Sequence, residues 1–288
     1  MIRKCLFPAA GYGTRFLPAT KAVPKEMLPI INKPLLQYGV EEAIDAGISN
    51  MSIVTGRGKR AIEDHFDNSF ELESQLNGTS KEHFLDDIKK LIMKSSFTYV
   101  RQQEMLGLGH AILCGRPLIG NEAFAVILAD DLCFSPSNGV INQLIDVYRK
   151  YKCSVIAVEE VSSEQIVNYG AVIGKALNKK NDIYRVTNMM EKPNLEDLTE
   201  FQIENKIDGK KNFMGVVGRY ILTPDIFNII KNIKTSKDNE LQITEALLIQ
   251  AKQGKVIACK FEGTRFDCGH FKGYLEATNY YAKKMGVV

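Results

Sequence analysis

Glycines and cations crowd residues 7–30, FPAAGYGTRFLPATKAVPKEMLPI, where Gly11, Gly13, Arg15, Lys21 and Lys25 share one short stretch with four prolines. Glycine lets backbone N–H groups approach an anion with no Cβ in the way. Arg15 and Lys25 add formal positive charge, so the combination suits a polyanion such as a triphosphate. Carboxylates gather in two other places. FAVILADDL ends an apolar run with Asp130 and Asp131, and RFDCGH carries Asp267 two residues before a glycine. Acidic residues at the carboxyl end of a strand sit where α/β sheets bind ligands. Strand alternation sends adjacent side chains to opposite sides, so one of the Asp130–Asp131 pair would meet a ligand. Oxygen donors of this kind suit a hard divalent cation.

Two familiar phosphate loops do not fit. A dinucleotide fingerprint needs a third glycine where Phe16 stands, and a helix beginning inside the motif. Pro18, Pro24 and Pro29 forbid a continuous helix until about Pro34. No G-K-[ST] ending exists for a Walker loop. The plain alternative is a glycine turn with surface cations. His65, His83, His110 and His270 lack the mutual spacing of a metal site or a nucleophile pair.

Those residues need a frame. Short β-branched runs (KCLF, MSIVT, FTYV, FAVILA) read as buried strands. They alternate with helical patterns at 34–47, buried through Leu36, Val40, Ala43 and Ile44, and at 137–151. That alternation implies a largely parallel sheet with helices on its faces. The second half is less regular: VIAVEEV, AVIG, YRVTNMME, FMGVVGRYIL and VIACKFEG are strand-like, with KALNKKND as a hairpin tip and an amphipathic helix in FKGYLEATNYYAKKMG. Polar stretches at 67–84, 194–211 and 233–241 read as surface segments. The expected architecture is α/β and Rossmann-like: a mixed, mostly parallel sheet flanked by helices, with a β-rich elaboration. With 288 residues, 45% hydrophobic and 25% charged, one continuous domain is expected. Roughly 1–135 would form a nucleotide-binding half and 136–288 the other half with the C-terminal helix.

A net charge of +3 is too small to imply nucleic acid or an anionic membrane as partner. The six cysteines form no C-x-x-C pair, and most read as small buried hydrophobes in a reducing compartment, which argues against a structural zinc. The apolar run after Met1 stops at Pro8 and Gly11, too short for a secretory segment, and nothing reaches the length of a membrane span. A cytoplasmic location is expected.

The stretch AAGYGTRFLPATKAVPKEMLPI closely resembles the signature loop of the nucleoside-triphosphate–sugar-1-phosphate nucleotidylyltransferase family, in its uridylyltransferase form. The resemblance spans residues 5 to about 280, with the further motifs in family order. It implies that Ala10, Gly11, Gly13 and Thr14 hold the nucleotide and that Arg15 and Lys25 serve catalysis. VRQQEMLGLGHA would place Gln102 on the base, with Gln103 as the alternative, beside Gly107. Asp130 and Asp267 would bind Mg²⁺, with Asp131 a possible further ligand or ribose contact. In NYGAVIG, MMEKPN and NFMGVVGRYIL, the resemblance puts Gly170, Glu191 and Gly215 on the sugar and Lys192 on its phosphate.

The reaction so implied joins UTP and glucose 1-phosphate into UDP-glucose and pyrophosphate. The sugar phosphate attacks the α-phosphorus in line. A phosphate monoester is already anionic near neutral pH, so positioning and charge neutralisation carry catalysis rather than a strong base. A homo-oligomer, dimer or tetramer, is also implied. The rival readings are a sister enzyme using dTTP or another sugar, and a non-catalytic regulatory homologue that binds nucleotide-sugar. A nicotinamide enzyme is opposed by Phe16 and the prolines.

Overall fold

The four apolar runs of the first half become β1 (Lys4–Pro8), β2 (Asn50–Thr55), β3 (Ser96–Arg101) and β4 (Phe124–Ile127) of a computed structural model that describes residues 1–194, 196–204, 211–235 and 239–288. They pair in parallel in the order β3-β2-β1-β4. The remaining strands longer than two residues are β5 (Asp131–Phe134), β6 (Ser154–Val161), β7 (Gly170–Ala176), β8 (Ile183–Glu191), β9 (Lys211–Leu222), β10 (Val256–Lys260) and β11 (Thr264–Asp267) among the described residues. The main sheet continues past β4 as β9-β6-β10-β8-β7, parallel at β6–β10 and antiparallel elsewhere. Met214 and Gly215 of β9 also pair with β7, so β9, β6, β10, β8 and β7 close on themselves. This is the β-rich elaboration.

Alternation along the parallel strands fills both faces. Cys5 and Phe7 turn toward helices α1 (Leu35–Asp45) and α3 (Val140–Tyr151), where they meet Leu36, Val40, Ile141 and Leu144. Leu6 turns the other way, toward Ala111 and Ile112 of α2 (Gly107–Cys114) and Leu247 of α4 (Ile243–Lys252). Both clusters draw on strands from either side of residue 135. Among the described residues no helix is long and apolar enough to cross a membrane.

Helix α3 begins at Val140 rather than Ser137, because Glu42 of α1 reaches across to accept the Ile141 N–H of its first turn at 2.9 Å. The polar stretch 67–84 is not a plain loop. It contains a helix, Phe70–Leu76, whose Glu73 side chain accepts the Ser69 N–H, and a turn at Glu82–Leu85. Both are solvated on most sides, so no apolar stripe announced them. The stretches 194–211 and 233–241 lie partly outside the described residues. Where described, the first includes a turn at Asp197–Phe201 that buries Leu198 and Phe201.

Candidate active site

From β1 the chain enters three short turns, Thr14–Phe16, Ala19–Lys21 and Lys25–Met27, with no longer helix until α1, as the prolines require. Gly13 adopts φ +67°, and a Cβ there would stand 2.9 Å from the Lys25 Cβ, so only glycine lets the two arms of the loop touch. Thr20 Oγ1 donates to the Gly13 carbonyl at 2.8 Å. Helix α5 (Phe271–Lys284) clamps the loop from outside. Phe16 packs on Phe271 and Tyr274 at centroid distances of 4.8 and 5.5 Å, and the Tyr274 hydroxyl donates to the Pro29 carbonyl at 2.5 Å.

Lys25 Nζ donates to Asp130 Oδ2 at 2.6 Å. Burial works against both charges, yet each holds the other ionised. The Lys25 ammonium stays above its ordinary value because of Asp130 and Glu26, and the Asp130 carboxyl falls below its own because of Lys25. Behind Lys25, Glu26 and Lys59 form a buried ion pair at 2.6 Å.

Strands β5 and β11 pair antiparallel and set Asp131 opposite Asp267, while the Cys268 N–H donates to the Asp130 carbonyl at 2.7 Å. The three carboxylates thereby converge, but they differ in what they are free to do. Both oxygens of Asp131 already receive protein donors. Its Oδ1 receives Arg265 Nε at 2.6 Å and its Oδ2 receives the Gly218 N–H at 2.8 Å. A register shift in β9 between Val217 and Tyr220 turns that N–H inward and buries Arg219, which pairs with Glu42 at 3.0 Å and donates to the Leu128 carbonyl. Arg265 also binds Glu159 at 2.8 Å and lies 4.5 Å from the Tyr169 ring centroid. It is the counterion of the acidic cluster.

Asp267 Oδ2 accepts the Tyr169 hydroxyl at 2.8 Å, and Oδ1 accepts the Gly269 N–H at 3.1 Å. A Cβ on Gly269 would lie 3.0 Å from Asp267 Oδ1, 3.3 Å from Asp130 Oδ2 and 3.6 Å from Arg15 Nη1. Arg15, an exposed residue, thus has its guanidinium beside the same point as the two carboxylates. Thr14 opens the same turn and is exposed.

Beside this charge cluster lies a cleft of about 300 Å³ lined by Pro8, Ala10, Gly11, Lys25, Gln102, Gly107, Leu108, Leu128, Asp130 and Glu240, among others. Gln102 is buried just past β3, where its backbone N–H continues the ladder to the Thr55 carbonyl at 2.8 Å; Gln103 is exposed. Gly107 opens α2 with φ +87°, and a Cβ there would strike Glu240 and Leu241. Glu240 went unread in the sequence because it sits in a polar stretch with no pattern of its own.

Gly170, Glu191 and Thr244 also meet. Thr244 Oγ1 donates to Glu191 Oε2 at 2.6 Å, and a Cβ on Gly170 would lie 3.4 Å from both oxygens. Lys192 does not continue the extended strand. It turns to φ +43° while its N–H bonds the Tyr169 carbonyl at 3.0 Å, and its side chain is exposed. Left-handed backbone at a residue other than glycine is strained. Gly215 pairs with Ala171 and Glu159, and its open face looks at Val161 and Ile166, whereas Val216 is the residue against Gly170. Thr244 and Tyr169 were missed as functional candidates. Tyr169 sits inside the NYG motif that drew notice for its glycine.

The pattern that defines the nucleotidyl transferase family matches residues 6–284. The chain belongs to that family. It is 57% identical over 281 residues to a UTP–glucose-1-phosphate uridylyltransferase of Pseudomonas aeruginosa, covering 97% of this chain and 96% of that protein. The crystal structure of an apo UDP-glucose pyrophosphorylase superimposes with TM-score 0.90 at 55% identity, over 99% of this chain and all of the other. A UDP-glucose pyrophosphorylase complexed with UDP-glucose gives TM-score 0.86 at 52% identity, with the same coverage. Nucleotidyl transferases of that branch therefore share the fold described here along its whole length.

Proposed function

We propose that the chain transfers UMP from UTP to α-D-glucose 1-phosphate, releasing pyrophosphate and UDP-glucose. The reading rests on the meeting of Arg15, Lys25, Asp130 and Asp267 at a cleft lined by Gln102, in a chain this similar to a uridylyltransferase. Lys25 and Asp130 neutralise one another. When a triphosphate enters, Lys25 exchanges its carboxylate for phosphate oxygens, and Arg15 holds the departing pyrophosphate. Glu191, steadied by Thr244, accepts hydrogen bonds from the sugar hydroxyls, Gly170 leaves room for the ring, and Lys192 meets the attacking phosphate. Bringing two anions together is the difficulty, and preorganised cations answer it.

Mg²⁺ is the expected cofactor, and the donor set fits it. Asp130 and Asp267 offer hard carboxylate oxygens beside one point, and Asp130 is freed when Lys25 changes partner. Among the described residues no cluster of three or more His, Cys, Asp or Glu forms a metal site, so substrate oxygens and water would complete the shell. The ion would supply charge neutralisation to the phosphates. We further place the protein in the cytoplasm, with six free thiols, and as a homo-oligomer, dimer or tetramer, testable by light scattering.

A pyrophosphate-release assay with UTP, glucose 1-phosphate and Mg²⁺, run beside dTTP, galactose 1-phosphate and excess chelator, tests the reading. Lys25→Ala should lower kcat on the order of 10²-fold or more with the fold intact. Near-normal turnover of that variant overturns the assignment of Lys25.

A further inference from the structure

A carboxamide has two unlike ends, and the end that faces a ligand decides which base edge it matches. In Gln102 the nitrogen is engaged. Nε2 lies 3.3 Å from the Gly107 carbonyl oxygen and 3.0 Å from Nδ1 of His110. A carbonyl only accepts, so the atom beside Gly107 is the NH₂ group and the amide's direction follows from chemistry. Its second hydrogen reaches His110 Nδ1, which must then carry the lone pair, with the imidazole hydrogen on Nε2. Cys114, one turn along α2, sets its Sγ 3.8 Å from Nε2 and 3.9 Å from Nδ1, so the choice of tautomer rests on the Gln102 amide. Gln102 Oε1 takes no hydrogen bond among the described residues, and it is not among their buried unsatisfied atoms. Because Gln102 lines the cleft, this acceptor opens into it.

We infer that His110 is a positioning residue for base choice: as the neutral Nε2–H tautomer it accepts from Gln102 and so fixes Oε1, rather than NH₂, toward the nucleotide. The inference deepens the proposed function and rests on Gln102 being the base contact. Uracil carries a hydrogen on N3 and can donate to Oε1. Cytosine carries a lone pair there and meets lone pair with lone pair. Without the imidazole acceptor only the Gly107 carbonyl, at 3.3 Å, still holds the NH₂ group, so the flipped amide that presents NH₂ to cytosine costs less than in the parent. Thymine has the same N3–H as uracil, so this device separates UTP from CTP and not from dTTP.

The test is the ratio of kcat/KM for UTP to that for CTP, read by pyrophosphate release with glucose 1-phosphate. His110→Phe should lower the ratio about tenfold, the worth of one hydrogen bond, with the loss in the nucleotide KM rather than in the KM for glucose 1-phosphate. His110→Asn, which can place an amide oxygen near the Nδ1 position, should restore most of it. Should His110→Phe weaken UTP and CTP equally, or leave the ratio unchanged while Gln102→Met collapses it, His110 has no such role. A ratio untouched by Gln102→Met would instead overturn the base contact beneath the inference. Thermal melting of each variant separates these results from loss of the fold.

Discussion

Replacing Gly269 with alanine would place one methyl group among the charged groups of the site and nowhere else. Its carbon would stand 3.0 Å from Asp267 Oδ1, 3.3 Å from Asp130 Oδ2 and 3.6 Å from Arg15 Nη1. Gly269 does not have positive φ, so the backbone accepts alanine without strain. The two carboxylate contacts are a few tenths of an ångström too tight, and the carboxylates must retreat by that amount. Metal distances tolerate only about 0.2 Å, and catalytic constellations about 0.5 Å. Turnover should therefore fall roughly 10- to 100-fold, while stability changes by about 1 kcal/mol or less, because side-chain ends rather than backbone give way. Steady-state kinetics with thermal melting reads both quantities. Gly139→Ala serves as control, since its Cβ would meet only Glu42 Cγ at an ordinary 3.6 Å. If Gly269→Ala turns over within about twofold of the parent, Asp130 and Asp267 are not where the reaction occurs.

Other perturbations report on other parts of the molecule. Glu191→Gln keeps a partner for Thr244 but loses charge-assisted bonds to hydroxyls, so the KM for glucose 1-phosphate should rise about tenfold or more with the nucleotide KM steady; an unchanged sugar KM removes Glu191 from that pocket. Burial holds the His65 imidazole below its ordinary value of about 6.5, with Nε2 at 3.0 Å from Gln37 Oε1. The unfolded chain then takes up the proton first, so this contribution to stability is present above about pH 6.5 and is lost as pH falls toward the folded value. His65→Asn should flatten that limb of the melting temperature against pH, and an unaltered slope would contradict it. Arg219→Met strands Glu42 and should cost about 3–5 kcal/mol in urea unfolding; a cost under about 1 kcal/mol would mean the pair is dispensable.

Local chemistry was the legible part. The prolines announced a loop without long helices, and the alternating strands and helices announced the sheet. The cluster around Arg265 was not legible. Its three carboxylate partners come from β5, β6 and β11, and nothing local to residue 265 says that Asp131 will consume its charge. For the same reason Asp130 and Asp131, adjacent and identical in type, could be told apart only once the β9 register shift placed the Gly218 N–H against the second of them. Thr244 and Glu240 belong to a segment with no motif and meet the site through topology alone. The turn at Lys192, whose N–H donates to the Tyr169 carbonyl, likewise depends on a residue distant in sequence and has no mark in E-K-P itself.

Because Phe271 and Tyr274 fasten the segment bearing Arg15 and Lys25, the earliest-made part of the reaction centre is held by one of the latest. The Tyr274–Pro29 contact joins residues 245 positions apart. At roughly 5–20 residues per second of translation, the phosphate-gripping segment waits on the order of ten seconds or longer on the ribosome before its fastener emerges. Competence for chemistry therefore arrives only once that fastener has been made, after the parallel strands have had time to pair.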